Sequence, residues 1–219
     1  MVGALKRQLY YSAMTDALFM NDPLNDQSIK SLTMLGFTSK HSLNSWMYYH
    51  YKIKDSNTCN RKLKWLLYEG YRSEYNRLKH LLSAMPVKER EPYIASLPES
   101  DDRKRKLIRI NKIMPYLGSG GVAAYDFALY LAVAQTGVRL GYLAYREARV
   151  FSREIAKTAQ RQYGSWNEYH LACIAGMYYL TPPNLEDHSQ DNTYSQYMYA
   201  RMLARRTSAD KFVRWRARL

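Results

Sequence analysis

Apolar residues recur along this chain at intervals of three and four, and strand-like alternation is scarce, so the pattern predicts α-helices nearly throughout. Leu5, Leu9, Ala13 and Ala17 mark a first helix, stopped by Asn21-Asp22-Pro23. Ile29, Leu32 and Leu35 mark a short second one, with Gly36 suited to a left-handed C-terminal cap. Leu43, Trp46, Met47 and Tyr51 mark a third. A fourth keeps Leu63, Leu66, Leu67, Gly70, Tyr71, Leu78, Leu81 and Leu82 on one face for about five turns. Gly70 on that face costs about 1 kcal/mol of helix propensity, which a close helix–helix approach would offset.

Pro86, Pro92 and Pro98 punctuate a linker-like stretch, residues 84–100, where the chain reads as most divisible. Asp101 and Asp102 open the next helix, where acids suit the positive end of the dipole, and Pro115 ends it. Gly118-Ser119-Gly120-Gly121 forms a turn before an apolar helix from Val122 to Thr136. With no Gly-Lys-Ser/Thr after it and no strand before it, this turn lacks the signature of a phosphate cradle. Gly137 and Gly141 bracket a short turn, and Ala148, Phe151, Ile155 and Ala159 define a further helix. Ser165-Trp166-Asn167-Glu168 matches the capping box and opens a helix with Tyr169, Ala172, Cys173, Gly176, Met177 and Leu180 on one face. Pro182-Pro183 closes it, Asn184 to Asn192 reads as a loop, and from Thr193 the chain reads as helical again. The sum is an all-α, single-domain bundle of about eight to ten helices spanning residues 1–219.

Composition removes several classes. Hydrophobic residues make up 47 %, ordinary for a globular domain. The longest apolar stretch, Phe127 to Ala134, falls far short of the roughly 20 residues that span a bilayer. No apolar run follows Lys6 and Arg7 as a signal peptide requires. The expectation is a cytoplasmic protein, or one delivered into a target cell without such a signal, with no membrane span. Cys59 and Cys173 lie too far apart for a zinc site and too few for a disulfide framework. His50, His80 and His170 fit no metal-binding spacing. No metal and no cofactor is expected.

The formal charge of +14 changes the picture most. Six cations and no acid occur between Arg103 and Lys112: Arg103, Lys104, Arg105, Lys106, Arg109 and Lys112. The tail from Arg201 to Leu219 holds seven against Asp210 alone, among them Arg201, Arg205, Arg206, Arg214 and Arg216. Such clusters attract polyanions whatever the fold. The 21 tyrosines add surfaces that stack on unpaired bases.

Ala124-Tyr125-Asp126, Gly141-Tyr142-Leu143, Glu147-Ala148, Ser165-Trp166-Asn167-Glu168-Tyr169 and Gly176 together resemble the core of the bacterial DUF1266 family, here residues 122–180. Leu43, Trp46 and the run Leu66-Leu67-Tyr68-Glu69-Gly70-Tyr71 resemble its N-terminal portion, so the likeness covers most of residues 5 to 180. The family's pattern places an arginine three residues after the aspartate, where this chain has Leu129, so Asp126 lacks that partner. Ala144 likewise replaces a hydroxyl-bearing helix cap, leaving Glu147 without its reciprocal bond.

Within the resembling segment Asp126, Glu147 and Glu168, with Tyr142, are the catalytic candidates, since hydrolytic chemistry wants two carboxylates on one metal or water. Glu168 is also explained by its capping box and Glu147 by the first turn of a helix, whereas Tyr142 suits closing a turn over the core. Asp126 stands in an apolar helix, where it must be paired, protonated or open to a cleft. Two functions follow as expectations. One is an effector- or toxin-like domain of interbacterial conflict that engages nucleic acid or another polyanion. The other is a non-enzymatic basic module that binds RNA, DNA or an acidic protein such as an immunity protein or chaperone.

Overall fold

The computed structural model describes residues 2–19, 39–180 and 209–219. Its helices run in the order α1 (Val2–Thr15), α2 (Lys40–Tyr51), α3 (Ser56–Tyr68), α4 (Gly70–Ser83), α5 (Val87–Ser96), α6 (Asp102–Ile113), α7 (Ala123–Leu140), α8 (Tyr145–Gln162) and α9 (Trp166–Leu180). Short 3-10 turns cover Asp16–Phe19, Met114–Tyr116 and Ala209–Phe212. No strand occurs among the described residues, so the fold is the all-α bundle that the periodicity predicts.

α7 is apolar around nearly its whole circumference, and a helix of that kind is stable only when other helices surround it. Helices α1, α2, α3, α4, α8 and α9 do so. A second apolar cluster joins Tyr75, Leu78 and Leu82 of α4 to Ile94 of α5, Leu107 and Ile110 of α6, and Tyr179 of α9.

Several sequence expectations need correction. The stretch 84–100 is not a linker: α5 occupies it, with Pro92 inside the helix and Ile94 buried in the second cluster. Gly137 does not open a turn but lies inside α7, where its missing side chain makes room for the Cys59 sulfur. The turn comes at Gly141, the left-handed C-cap at φ 83°. Phe151 faces outward on α8, while Ala148, Ser152, Ile155, Ala156 and Ala159 form its buried face. The proposed helix around Gly36 and residues 193–208 of the proposed tail helix lie outside the described residues.

The end of the tail is not helical beyond Phe212. From Val213 onward, burial alternates residue by residue, with Val213, Trp215, Ala217 and Leu219 inward and Arg214, Arg216 and Arg218 outward. This strap is pinned by side chains that bond its backbone. Trp166 Nε1 donates to the Val213 carbonyl at 2.8 Å, Tyr10 to that of Trp215 at 2.7 Å, and Gln160 to those of Trp215 and Ala217. Arg153 Nε donates to the Leu219 oxygen at 3.0 Å. The Trp215 ring sits among Tyr10, Trp166 and Tyr169, and its own N–H reaches the Tyr163 carbonyl.

Candidate functional site

The long fourth helix of the sequence reading is two helices, broken at Glu69–Gly70, and Asp126 explains why. Gly70 adopts φ +63°, a conformation that a side chain makes costly. A Cβ there would overlap the Asp126 carboxylate and the Arg72 guanidinium. Asp126 accepts the backbone N–H groups of Tyr71 at 2.9 Å and Arg72 at 3.0 Å, so it caps α4 from another helix. Arg72 pairs with the same carboxylate at 3.0 Å and donates to the Leu66 and Leu67 carbonyls, the open end of α3. One ion pair thus terminates α3 and starts α4, each charge on the end that its helix dipole favours.

This corrects one expectation and narrows another, for of the three states open to Asp126 it is the paired one that forms. The arginine partner that seemed lost at Leu129 is present as Arg72, more than fifty residues earlier in the chain. Nor does Asp126 open into a cleft, since it has no exposed surface. Burial pushes its carboxyl above the ordinary range, against the pull of the Arg72 and Tyr71 amides and the guanidinium. All of its hydrogen bonds are accounted for within the fold.

The other candidates do not assemble around it. Glu168 accepts the Gly164 N–H at 2.6 Å and its own amide donates to Ser165, which is the capping box shifted by one residue on the return bond. Its carboxylate also fills the space beside Gly118, so a negative charge occupies the glycine-rich turn. Glu147 is exposed on the first turn of α8. Tyr142 packs against the core at the turn after α7, as its sequence position suggests, and its hydroxyl donates to Asn44 at the surface, away from Asp126. Among the described residues no group of three His, Cys, Asp or Glu could hold a metal ion, and no helix is long and apolar enough to cross a membrane. Both cysteines are buried thiols, and burial pushes Cys59 up to about 11.

The α6 cations do not form a free basic face. Arg103 is held by Asp101, which caps the helix, Lys104 by Glu99 at 2.6 Å, and Lys106 by Glu74 at 2.7 Å. Arg109 is buried, donates to the Tyr179 carbonyl and lies over the Tyr178 ring. Arg105 and Lys112 are exposed and each has an interaction partner. Arg201, Arg205 and Arg206 lie outside the described residues.

A different helix carries the open charge. At 100° per residue, Arg146, Arg149, Arg153, Lys157 and Arg161 fall within one third of the circumference of α8, away from its buried face. Only Glu147 and Glu154 oppose them on that helix, and Glu154 is engaged with Lys157. Arg161 bonds a neutral hydroxyl, that of Thr158, which leaves its charge uncompensated. The strap runs along the same helix through Gln160 and Arg153, and adds the exposed Arg214, Arg216 and Arg218. Arg146, Arg149 and the strap arginines have no carboxylate partner among the described residues.

Beside this face, α1, α7 and α8 enclose a groove of about 390 Å³ lined by Arg7, Gln8, Tyr11, Gln135, Val138, Tyr145, Ala148, Arg149 and Ser152. Sequence reading missed both features. It counted cations along the chain, where α8 has acids among its arginines, and not around the helix, where it does not matter that they interleave. Of the residues named in advance, Arg214 and Arg216 belong to the open face.

Residues 47–216, most of the chain, match the family model described as Protein of unknown function (DUF1266). The match starts later and reaches further than the stretch of residues 5 to 180 that carried the resemblance, and it takes in most of the strap. None of the curated proteins matches, and none of the solved structures does.

Proposed function

Starting from a chain that belongs to the DUF1266 family, we propose a non-enzymatic module that lays the α8–strap face on nucleic acid. One observation carries this reading: five cations of α8 and three of the strap lie on adjoining, largely exposed surfaces, and among the described residues Glu147 and Glu154 are the only acidic side chains between them. Charge so arranged draws in a phosphate backbone and releases its counterions. Of the three carboxylates that a hydrolytic effector could draw on, Glu147 stands exposed and apart from the other two on the first turn of α8. Asp126 and Glu168 are both committed to helix ends, which favours binding over catalysis.

The test is the salt dependence of binding to a fluorescent single-stranded oligonucleotide. Reversing Arg149, Arg153, Lys157 and Arg161 to Glu should lower affinity roughly a hundredfold near 0.1 M salt and flatten the salt slope by about 0.7 per lost contact. Reversing Arg103, Lys104, Arg105 and Lys106 should change affinity only a few-fold. Equal losses from the two sets, or no binding by the wild type at low salt, would overturn the proposal.

A further inference from the structure

The groove between α1, α7 and α8 has features that the open face does not need. Two guanidiniums, Arg7 from α1 and Arg149 from α8, line it from opposite helices, and no carboxylate lines it among the described residues. Tyr11 lines it too, is more than nine-tenths buried, and its hydroxyl, itself nearly without accessible surface, has no hydrogen-bond partner among the described residues. A buried hydroxyl without a partner is uncommon and costs stability, so an acceptor entering the groove would satisfy it once a small shift of the Tyr11 ring brings the hydroxyl to the groove surface. Burial raises the Tyr11 phenol, against the pull of Arg7, Arg153 and Arg149, so at neutral pH it keeps its proton and can donate. Gln8, Gln135 and Ser152 supply further polar groups, and the exposed Tyr145 ring stands at the rim.

We propose that this groove binds a phosphomonoester, its dianion spanned by the Arg7 and Arg149 guanidiniums and hydrogen-bonded by the Tyr11 hydroxyl. A monoester carries nearly two charges at neutral pH, where a phosphodiester carries one, so two guanidiniums match it better. Planar, fork-shaped donors suit phosphate oxygens in the two-bond mode that a single ammonium cannot reproduce. The volume lies in the range of small-molecule sites. The chemistry has two sources, a free mononucleotide or the 5′-phosphorylated end of a strand, and the second rests on the nucleic-acid reading above.

Calorimetric titration with AMP and with adenosine decides the matter. AMP should bind saturably and adenosine should not. Tyr11→Phe should weaken AMP about tenfold or more, the worth of one hydrogen bond to a charged group. Because that substitution deletes an unpartnered hydroxyl, its melting temperature should be no lower than wild type, which separates a lost ligand contact from a lost fold. Arg7→Gln should weaken AMP similarly. Two oligonucleotides of one sequence, with a 5′-phosphate or a 5′-hydroxyl, identify the source. A preference for the phosphorylated strand that disappears in Tyr11→Phe assigns the groove to strand ends, and equal affinities alongside AMP binding assign it to free nucleotide. Absence of AMP binding, or AMP binding unchanged in both variants, overturns the proposal. Failure of either strand to bind would sink the nucleic-acid reading instead, while the AMP titration still decides the groove.

Discussion

Helices α6 and α8 are both rich in arginine and lysine, yet they treat those charges in opposite ways. Around α6 the fold supplies Asp101, Glu99 and Glu74 to three cations and draws a fourth, Arg109, into the interior. A hollow of about 240 Å³ beside it is lined by Glu99, Asp101 and Asp102 as well as by cations. Around α8 the acids are few among the described residues, the strap adds three more arginines, and the described lining of the neighbouring groove has Arg7 and Arg149 without a carboxylate. The helix that looks more basic in sequence is the one whose charge is spent inside the molecule. A field depends on where acids fall in space, not on how many residues separate them along the chain.

The sharpest way to break the contrast is to detach the strap. Trp215→Ala should cost about 3–5 kcal/mol in urea denaturation, as for other large aromatic truncations in a core. In molecules that remain folded it should also lower oligonucleotide affinity, because Arg214, Arg216 and Arg218 lose their fixed positions. Asp126→Ala should destabilise as strongly, by about 3–5 kcal/mol, since it leaves Arg72 half-buried beside two uncapped helix ends. It should leave the affinity of the folded fraction unchanged. A stable Asp126→Ala protein that no longer binds would reverse the assignment of that residue.

Glu74→Gln combined with Glu99→Gln sharpens the comparison from the other side. Both pairs lie at the surface, Glu99 wholly exposed, and such pairs add little, so stability should fall little. Freed of their acids, Lys106 and Lys104 should raise oligonucleotide affinity a few-fold by fluorescence anisotropy, making α6 more like α8. An effect confined to alkaline pH concerns a cation handled in a third way. Lys62 lies over the Trp65, Tyr71 and Tyr51 rings, and burial lowers it from 10.5 to about 8, against the pull of Asp126. Between those values the unfolded chain holds the proton more tightly than the folded one, so the stability linked to Lys62 is complete above 10.5 and is lost as pH falls toward 8. Lys62→Met should remove that part of the slope in chemical denaturation series across this range.

What was readable in the sequence is what depends on near neighbours. The periods of α2, α8 and α9 stand out, the Ser165 half of the capping box forms while the Glu168 bond returns to Gly164, and the apolar run after Val122 is the central helix. What was not readable depends on distant partners. Gly70 looked like a tolerated glycine in one long helix, because nothing nearby announces that Asp126 will end one helix and begin another there. Arg72 was overlooked for the same reason. The prolines from 86 to 98 suggested an open linker, although Pro92 leaves α5 intact and Ile94 finds a core to join. The strap is a different failure. Val213-Arg-Trp-Arg-Ala-Arg-Leu219 alternates with a period of two in plain view, but the apolar side of that alternation has meaning only against Tyr10, Gln160 and Trp166, which hold it.

Positions 70, 72 and 126 form a single structural unit. A side chain larger than hydrogen at the first displaces the carboxylate of the third, and without that carboxylate the guanidinium of the second is left beside two helix ends it can only half satisfy. Descendants of this chain should therefore keep all three residues or replace all three, and a lone exchange at any one of them should be found only where a second change has already relieved it.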